Sequence, residues 1–348
     1  MKTKIIRITD LERQRSDVAF AAEVIKSGGL VVFPTETVYG LGADATNPQA
    51  AMAVYSAKGR PSDNPLIIHL AAPEDVESYA FSNSTYYLLA EAFMPGPLTV
   101  ILNARESVPM ETRGGLNTVA VRCPEAPIAR ALIGAAGVPI AAPSANLSGS
   151  PSPTNAAHVI SDMNGRVDVI IDGGDCDFGL ESTIVKIDGE KVVTLLRPGK
   201  ITPADISKLG ITVNVADAVA NELKDDEIAL SPGMKYKHYA PKAPLFLLDA
   251  GISNSISYVL ANDTDNIAVI AYTEEISEWQ SALPDADIYD FGSKQDQMQQ
   301  AHRLFKVLRD TDNKKYTIIY APLPSSDGVG LALFNRMIRA AAHQIIRL

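Results

Sequence analysis

Short apolar, β-branched runs alternate with stretches of helical periodicity along most of the chain, the pattern of an α/β protein with much buried strand. The runs Lys4–Ile8, Leu30–Phe33, Leu66–Leu70, Leu98–Leu102, Thr118–Arg122, Val167–Ile171, Ser182–Ile187 and Val192–Leu196 predict strands. Several follow one another with no helix between them, so some neighbours pair antiparallel and the expectation is an open, twisted mixed sheet with helices. Val18, Ala21, Ala22 and Ile25 repeat at helical spacing before Gly28-Gly29, predicting an amphipathic helix that stops there and feeds the strand after it. Asn47-Pro48 opens a second helix as cap and first residue, running to about Ala57, with Lys58 leaving its C-terminal end.

The alternation breaks after a helix opened by Thr202-Pro203. Residues 211–242 hold the polar run Asn221 to Glu227 and then Ser231-Pro232-Gly233-Met234-Lys235-Tyr236-Lys237-His238-Tyr239-Ala240-Pro241, which reads as a long interdomain linker. From residue 243 the alternation resumes with strands Leu245–Asp249, Ile267–Tyr272 and Tyr316–Tyr320. Helices are expected near Ile256–Ala261, Glu275–Ala282, Gln295–Arg309 and Val329–Ile346, giving a smaller doubly wound, Rossmann-like domain. The predicted organisation is therefore a catalytic domain over 1–210, a linker over 211–242 and a C-terminal α/β domain over 243–348.

Composition narrows the class. The 348 residues carry 31 Lys+Arg against 41 Asp+Glu, a formal net charge of −10, so the surface as a whole repels polyanions and stable direct binding of nucleic acid is not expected. Two cysteines, Cys123 and Cys176, form no disulfide framework and cannot alone make a four-thiolate zinc site. Charges interrupt the apolar residues of Met1 to Gln14, and no apolar run approaches the ~18 residues of a membrane helix. A cytoplasmic, membrane-free protein is expected.

Four polar clusters fall at strand ends or in the loops that follow them, where α/β proteins build sites. Pro34-Thr35-Glu36-Thr37-Val38-Tyr39-Gly40-Leu41-Gly42 places two hydroxyls and a carboxylate after a buried strand. Gly40 to Ala45 also fits a loose G-x-G-x-x-[GA], but Pro34 to Tyr39 separate the strand from the glycines and the next helix starts too late for a dinucleotide turn. Lys58-Gly59-Arg60-Pro61-Ser62-Asp63-Asn64-Pro65 sets two cations two residues apart; in extended backbone both reach one polyphosphate, and the alternative is a solvated helix end. Pro143-Ser144-Ala145-Asn146-Leu147-Ser148-Gly149 offers polar side chains among small residues, or simply a turn. Glu181-Ser182-Thr183 opens one strand and Arg197-Pro198-Gly199 ends the next, an anion clamp or a surface arginine. With Thr118 and Arg122 the candidate pocket holds Lys58, Arg60, Arg122 and Arg197, which suits a small multiply anionic ligand. His69, in an apolar strand, reads as a hydrogen-bonded core histidine, and no pair of histidines has zinc spacing.

Together these clusters and Pro95-Gly96-Pro97-Leu98-Thr99, in this order, resemble the YrdC-like family. The linker motif and the extra domain resemble its longer, two-domain members, the L-threonylcarbamoyladenylate synthases. That resemblance implies a nucleotidyltransferase: L-threonine and bicarbonate or CO2 give a carbamate, whose oxygen attacks the α-phosphate of ATP as pyrophosphate leaves with Mg2+. It implies Lys58, Arg60, Ser144 and Asn146 as catalytic residues and Thr35, His69, Arg122 and Ser182 on the L-threonine side. For ATP it implies Lys58, Arg60, Ser62, Thr118, Ser144, Asn146, Ser152, Arg197, Tyr236 and His238. Mg2+ is expected to be held mainly by the ATP phosphates, and the product to pass to a downstream threonylcarbamoyl transferase that modifies tRNA. Tyr236 to Tyr239, hinged by Pro232-Gly233, are expected to act as a lid. Two other readings compete: an RNA-binding module, disfavoured by the charge balance, and a carbamoyl transferase of hydrogenase maturation, whose cysteine-rich zinc modules two cysteines cannot supply.

Overall fold

The structure, a computed structural model, describes residues 2–221, 239–262 and 265–348. The described chain divides into two compact units, one from the N-terminal part and one from residue 239 onward, the latter taking in the short segments Gly149–Pro151 and Phe178–Leu180.

In the first unit a mixed sheet of twelve strands runs in the order Lys4–Arg7, Val169–Asp172, Val31–Phe33, Gly40–Asp44, Ile140–Ala141, Ile67–His69, Thr118–Arg122, Leu98–Ala104, Thr183–Gly189, Val192–Arg197 and Thr212–Val215, with Ala80–Phe81 alongside Leu98–Ala104. Parallel and antiparallel pairings both occur, as the adjacent strand runs predicted. Val18, Ala21, Ala22 and Ile25 form the buried stripe of helix Arg15–Lys26. With Ala129, Leu132, Ile133 and Ala136 of helix Pro127–Ala136, that stripe packs on Ile6, Val31, Phe33, Val169 and Ile171 of the sheet.

Residues directly opposite each other in paired strands share a face, so this same face can be followed outward. It passes from Val31 and Phe33 to Gly42 and Gly40, then to Ile140, His69 and Ile67, to Arg122 and Ala120, to Thr99 and Ile101, and to Ile184. The two helices cover its first half. Beyond them lie a small apolar cluster of Ile67, Ile101, Ala120, Ile184 and Leu196, touched by Ala218, and a row of buried polar side chains.

The glycines expected in a loop, Gly40 and Gly42, instead lie in strand Gly40–Asp44. A Cβ on Gly42 would come within 2.7 Å of the Phe33 ring and 2.8 Å of Ile140, so packing, not a turn, requires the missing side chain. Helices Ser84–Phe93 and Ala156–Met163 and strand Asp287–Gly292 have no counterpart in the sequence reading; the last is only half-buried along most of its length, so it lacks an apolar run. Within the stretch read as a linker, Thr212–Val215 is the last strand of the sheet, and residues 222–238 lie outside the described residues.

The second unit is a five-stranded sheet in the order Asp287–Gly292, Ile267–Tyr272, Ile318–Pro322, Leu245–Asp249, Ile345–Arg347, every pair parallel. Helices Ile252–Asn262 and Ile276–Ala282 contact each other, as do Gln297–Asp310 and Gly330–Ala340. Right-handed crossovers place these two pairs on opposite faces, which is the doubly wound arrangement expected. The last predicted helix stops earlier than the sequence suggested: it ends at Ala340, and Ala342 and His343 turn the chain at φ 46° and 59° into strand Ile345–Arg347. Among the described residues no helix is long and apolar enough to cross a membrane.

Candidate active site

One group of polar residues is set by helix Pro48–Lys58. Asn47 caps it by accepting the backbone N–H of Gln49 and Ala50, and left-handed Gly59 ends it. Lys58 is thereby placed on the last turn, buried, and donates through Nζ to the carbonyls of Ser144 and Asn146 and, at 3.3 Å, to Asn146 Oδ1. Ser144 Oγ donates to Asn146 Oδ1, and the Ser148 N–H returns to the Lys58 carbonyl at 3.0 Å. Lys58, Ser144 and Asn146 thus form one hydrogen-bonded cluster, whereas Arg60 donates to the carbonyls of Asn64 and Pro65 at 3.0 and 3.2 Å. Lys58 and Arg60 do not lie in one extended segment as the sequence suggested, because the helix runs through Lys58 and Gly59 turns the chain.

Beside Arg60, Asn64 is 1% exposed and neither its Oδ1 nor its Nδ2 has a hydrogen-bond partner among the described residues. A buried polar group left unpaired costs about 1–3 kcal/mol. Ser62 is exposed on the same loop, and half-buried Thr118 begins a strand running parallel to Ile67–His69. Thr118 therefore sits toward the Arg60–Pro65 loop. It is four residues, ~13 Å, from Arg122.

Arg122 centres the second group. Its guanidinium pairs with Glu36, both side chains being more than nine-tenths buried, while Nε donates to the Gly96 carbonyl at 3.4 Å and Nη1 has no partner among the described residues. The other Glu36 oxygen accepts the N–H groups of Glu125 and Ala126 at 3.2 and 3.3 Å, at the start of helix Pro127–Ala136. Burial pushes the Glu36 carboxyl up, but Arg122 and the backbone N–H groups of Glu36 and Ala126 outweigh it and hold it below the ordinary value. His69, beside Arg122 in the sheet, is held down to about 3 by burial and then by the Arg122 charge, so its ring is neutral at physiological pH. Its Nδ1 lies 3.3 Å from the Ile140 carbonyl; a carbonyl only accepts, so the proton is on Nδ1 and Nε2 keeps its lone pair. On the neighbouring strands Thr99 Oγ1 and Ser182 Oγ are 2.8 Å apart, and Arg197 donates to the hydroxyl and carbonyl of Ser182, both at 3.0 Å.

Thr35 follows the strand Val31–Phe33, but its hydroxyl works within its own turn, donating to the Val38 carbonyl and accepting from the Thr37 and Val38 N–H groups. Ser152 is buried and donates to Glu181 at 2.5 Å. Tyr236, Lys237 and His238 of the expected lid lie outside the described residues, whereas Tyr239 is described, buried, and stacked on Phe305 with ring centroids 5.0 Å apart. The two groups are tied together through the loops that carry them, since Leu41 donates to the Pro143 carbonyl and Ala145 to that of Tyr39, each at 2.8 Å. Asn64, Thr99 and Glu181 were quoted in the motifs without a role, and Glu36 only as one carboxylate of a cluster. Their burial, and the 86 residues separating Glu36 from Arg122, leave no local signal.

Chemically the arrangement supplies cations, hydroxyls and amides rather than a nucleophile. Burial pushes the Cys123 thiol up to about 11 and that of Cys176 higher still, so neither is a thiolate at neutral pH. Among the described residues no three His, Cys, Asp or Glu side chains gather as a metal site.

Comparison with known proteins matches residues 23–199 to the Sua5/YciO/YrdC domain family, described as telomere recombination, and residues 201–342 to the threonylcarbamoyl-AMP synthase C-terminal domain. The threonylcarbamoyl-AMP synthase of Bacillus subtilis is 40% identical over 356 aligned residues, covering 100% of both chains. That of Pyrococcus abyssi is 40% identical over 338, covering 95% of each. The crystal structure of P. abyssi Sua5 complexed with L-threonine superposes with a TM-score of 0.89 at 37% identity, covering 100% of both chains.

Proposed function

The chain belongs to the threonylcarbamoyl-AMP synthase family and is an enzyme, and from that premise we propose that it makes L-threonylcarbamoyl-AMP and pyrophosphate from L-threonine, bicarbonate or CO2, and ATP. The observation carrying this reading is the buried Lys58 ammonium latched to the Ser144–Asn146 loop, a fixed positive charge in a site without a nucleophile. Nucleotidyl transfer needs that kind of positioning and charge neutralisation. In this reading Lys58, Arg60, Ser144 and Asn146 hold the triphosphate and the attacking carbamate, and the unpaired Asn64 amide joins them. Ser62, Thr118, Ser152 and Arg197 line the nucleotide side. Arg122, through the Nη1 that Glu36 leaves over, takes the carboxylate of L-threonine, with His69, Ser182 and the Thr35 turn around it. Mg2+ would be held mainly by the ATP phosphates, whose charge it would neutralise. The product then serves a transferase that modifies tRNA, in the cytoplasm.

The test is a pyrophosphate and adenylate assay in which ATP, L-threonine, bicarbonate and Mg2+ are omitted in turn. Each omission abolishes the adenylate, and Lys58→Ala lowers turnover ~10²-fold, the scale of a lost transition-state contact. Adenylate formed without L-threonine would refute the substrate assignment; full turnover by Lys58→Ala would refute the phosphate clamp.

A further inference from the structure

The second unit contains a cavity of about 520 Å³ that the proposed reaction does not use, within the 300–1,000 Å³ typical of small-molecule sites. It opens where strands Leu245–Asp249, Ile267–Tyr272 and Ile318–Pro322 end. In chain order the sheet runs third, second, fourth, first, fifth. The first and second strands therefore feed helices on one face and the fourth, between them, a helix on the other. This is the topological switch point at which open α/β sheets bind ligands.

Two lining side chains have hydrogen-bonding capacity that the fold leaves unused. Ser255, 4% exposed on helix Ile252–Asn262, has a hydroxyl with no partner among the described residues; Gln300, 3% exposed, donates Nε2 to the Ser293 carbonyl while its Oε1 accepts nothing among the described residues. One wall is the buried indole of Trp279, and Tyr272, the last residue of strand Ile267–Tyr272, also lines the cavity. The charge is wrong for phosphate. Asp249 and Glu275 line the cavity against a single cation, Lys294, which is ion-paired with Glu275 at 2.9 Å. The first strand–helix turn, Asp249-Ala250-Gly251-Ile252, holds one glycine and no phosphate cradle.

We propose that this cavity binds a free, uncharged nucleoside, its base against the Trp279 wall and its N–H and hydroxyl groups on Gln300 and Ser255. Trp279 is the one tryptophan of the chain, so its fluorescence reports on this cavity and not on the first unit's site. The full-length protein, with ATP present to occupy the catalytic site, is titrated separately with adenosine, guanosine, cytidine, uridine and the corresponding 5′-monophosphates. A saturable change with at least one nucleoside is expected, its monophosphate binding at least ~10-fold more weakly. The Ser255 hydroxyl makes no hydrogen bond among the described residues, so Ser255→Ala keeps the structure and turnover while weakening the nucleoside ~10-fold, the worth of one buried hydrogen bond. No saturable response to any nucleoside would overturn the proposal. So would a response unaltered by Ser255→Ala, or a monophosphate that binds more tightly than its nucleoside.

Discussion

Glu36 and Arg122 form an ion pair with both side chains more than nine-tenths buried, and removing one partner strands the other. Breaking such a buried pair costs about 3–5 kcal/mol, so Glu36→Ala should lower the free energy of urea unfolding at neutral pH by that order while disordering the Arg122 side chain. Acid exposes the same residues. His69 titrates near 6.5 when unfolded and about 3 when folded, so below pH 6.5 the unfolded chain takes up a proton that the fold refuses and stability falls. Glu36, held below its ordinary 4.5, contributes stability that is complete above pH 4.5 and is lost as the pH falls through its folded value. His69→Gln should therefore flatten the stability profile between pH 6.5 and 4.5, and Glu36→Gln should flatten it below 4.5. An unchanged slope in either variant would show that the titration lies elsewhere. The residue types at these positions were legible in the sequence. That Glu36 spends one oxygen on Arg122 and the other on a helix start was not, since both contacts cross more than eighty residues.

Among the elements, the paired ends of strands Thr183–Gly189 and Val192–Arg197 are held at a separation that only glycine permits. A Cβ on Gly199 would lie 2.5 Å from the Thr183 nitrogen and 2.9 Å from the Glu181 carbonyl oxygen, whereas one on Gly189, in the same strand pair, meets nothing within 4 Å. Gly199→Ala should cost about 1–3 kcal/mol by overpacking and lower turnover by moving Ser182 away from Arg197. Gly189→Ala should stay within about 0.5 kcal/mol with turnover intact. Calorimetry and the adenylate assay on the two variants separate them, and equal losses would remove the argument. Helix Arg15–Lys26 and the cap at Asn47 were legible because periodicity and capping are local signals. Strand Gly40–Asp44 was not, because its glycines are selected by the Phe33 ring and Ile140 that press on them.

For the molecule as a whole, a net charge of −10 sets what approaches it. Binding of a tRNA should be weaker than that of ATP at physiological ionic strength, and filter binding over a salt series checks this: an affinity for tRNA above that for ATP would contradict it. The sequence by itself determined the class of the fold, an α/β chain with a mixed sheet followed by a doubly wound sheet, because strand and helix periods and turn residues are written locally. It also supplied the inventory of candidate residues, since Lys58, Arg60, Ser144, Asn146 and Arg122 stand in recognisable clusters. Tertiary structure alone decided how that inventory is shared out. Lys58 goes to the 144–146 loop and Arg60 to its own, Glu36 takes one guanidinium nitrogen of Arg122 while Nη1 has no partner among the described residues, and burial keeps His69 neutral. The reason is physical: desolvation and pairing depend on which strands become neighbours, and that is fixed only when distant parts of the chain pack together.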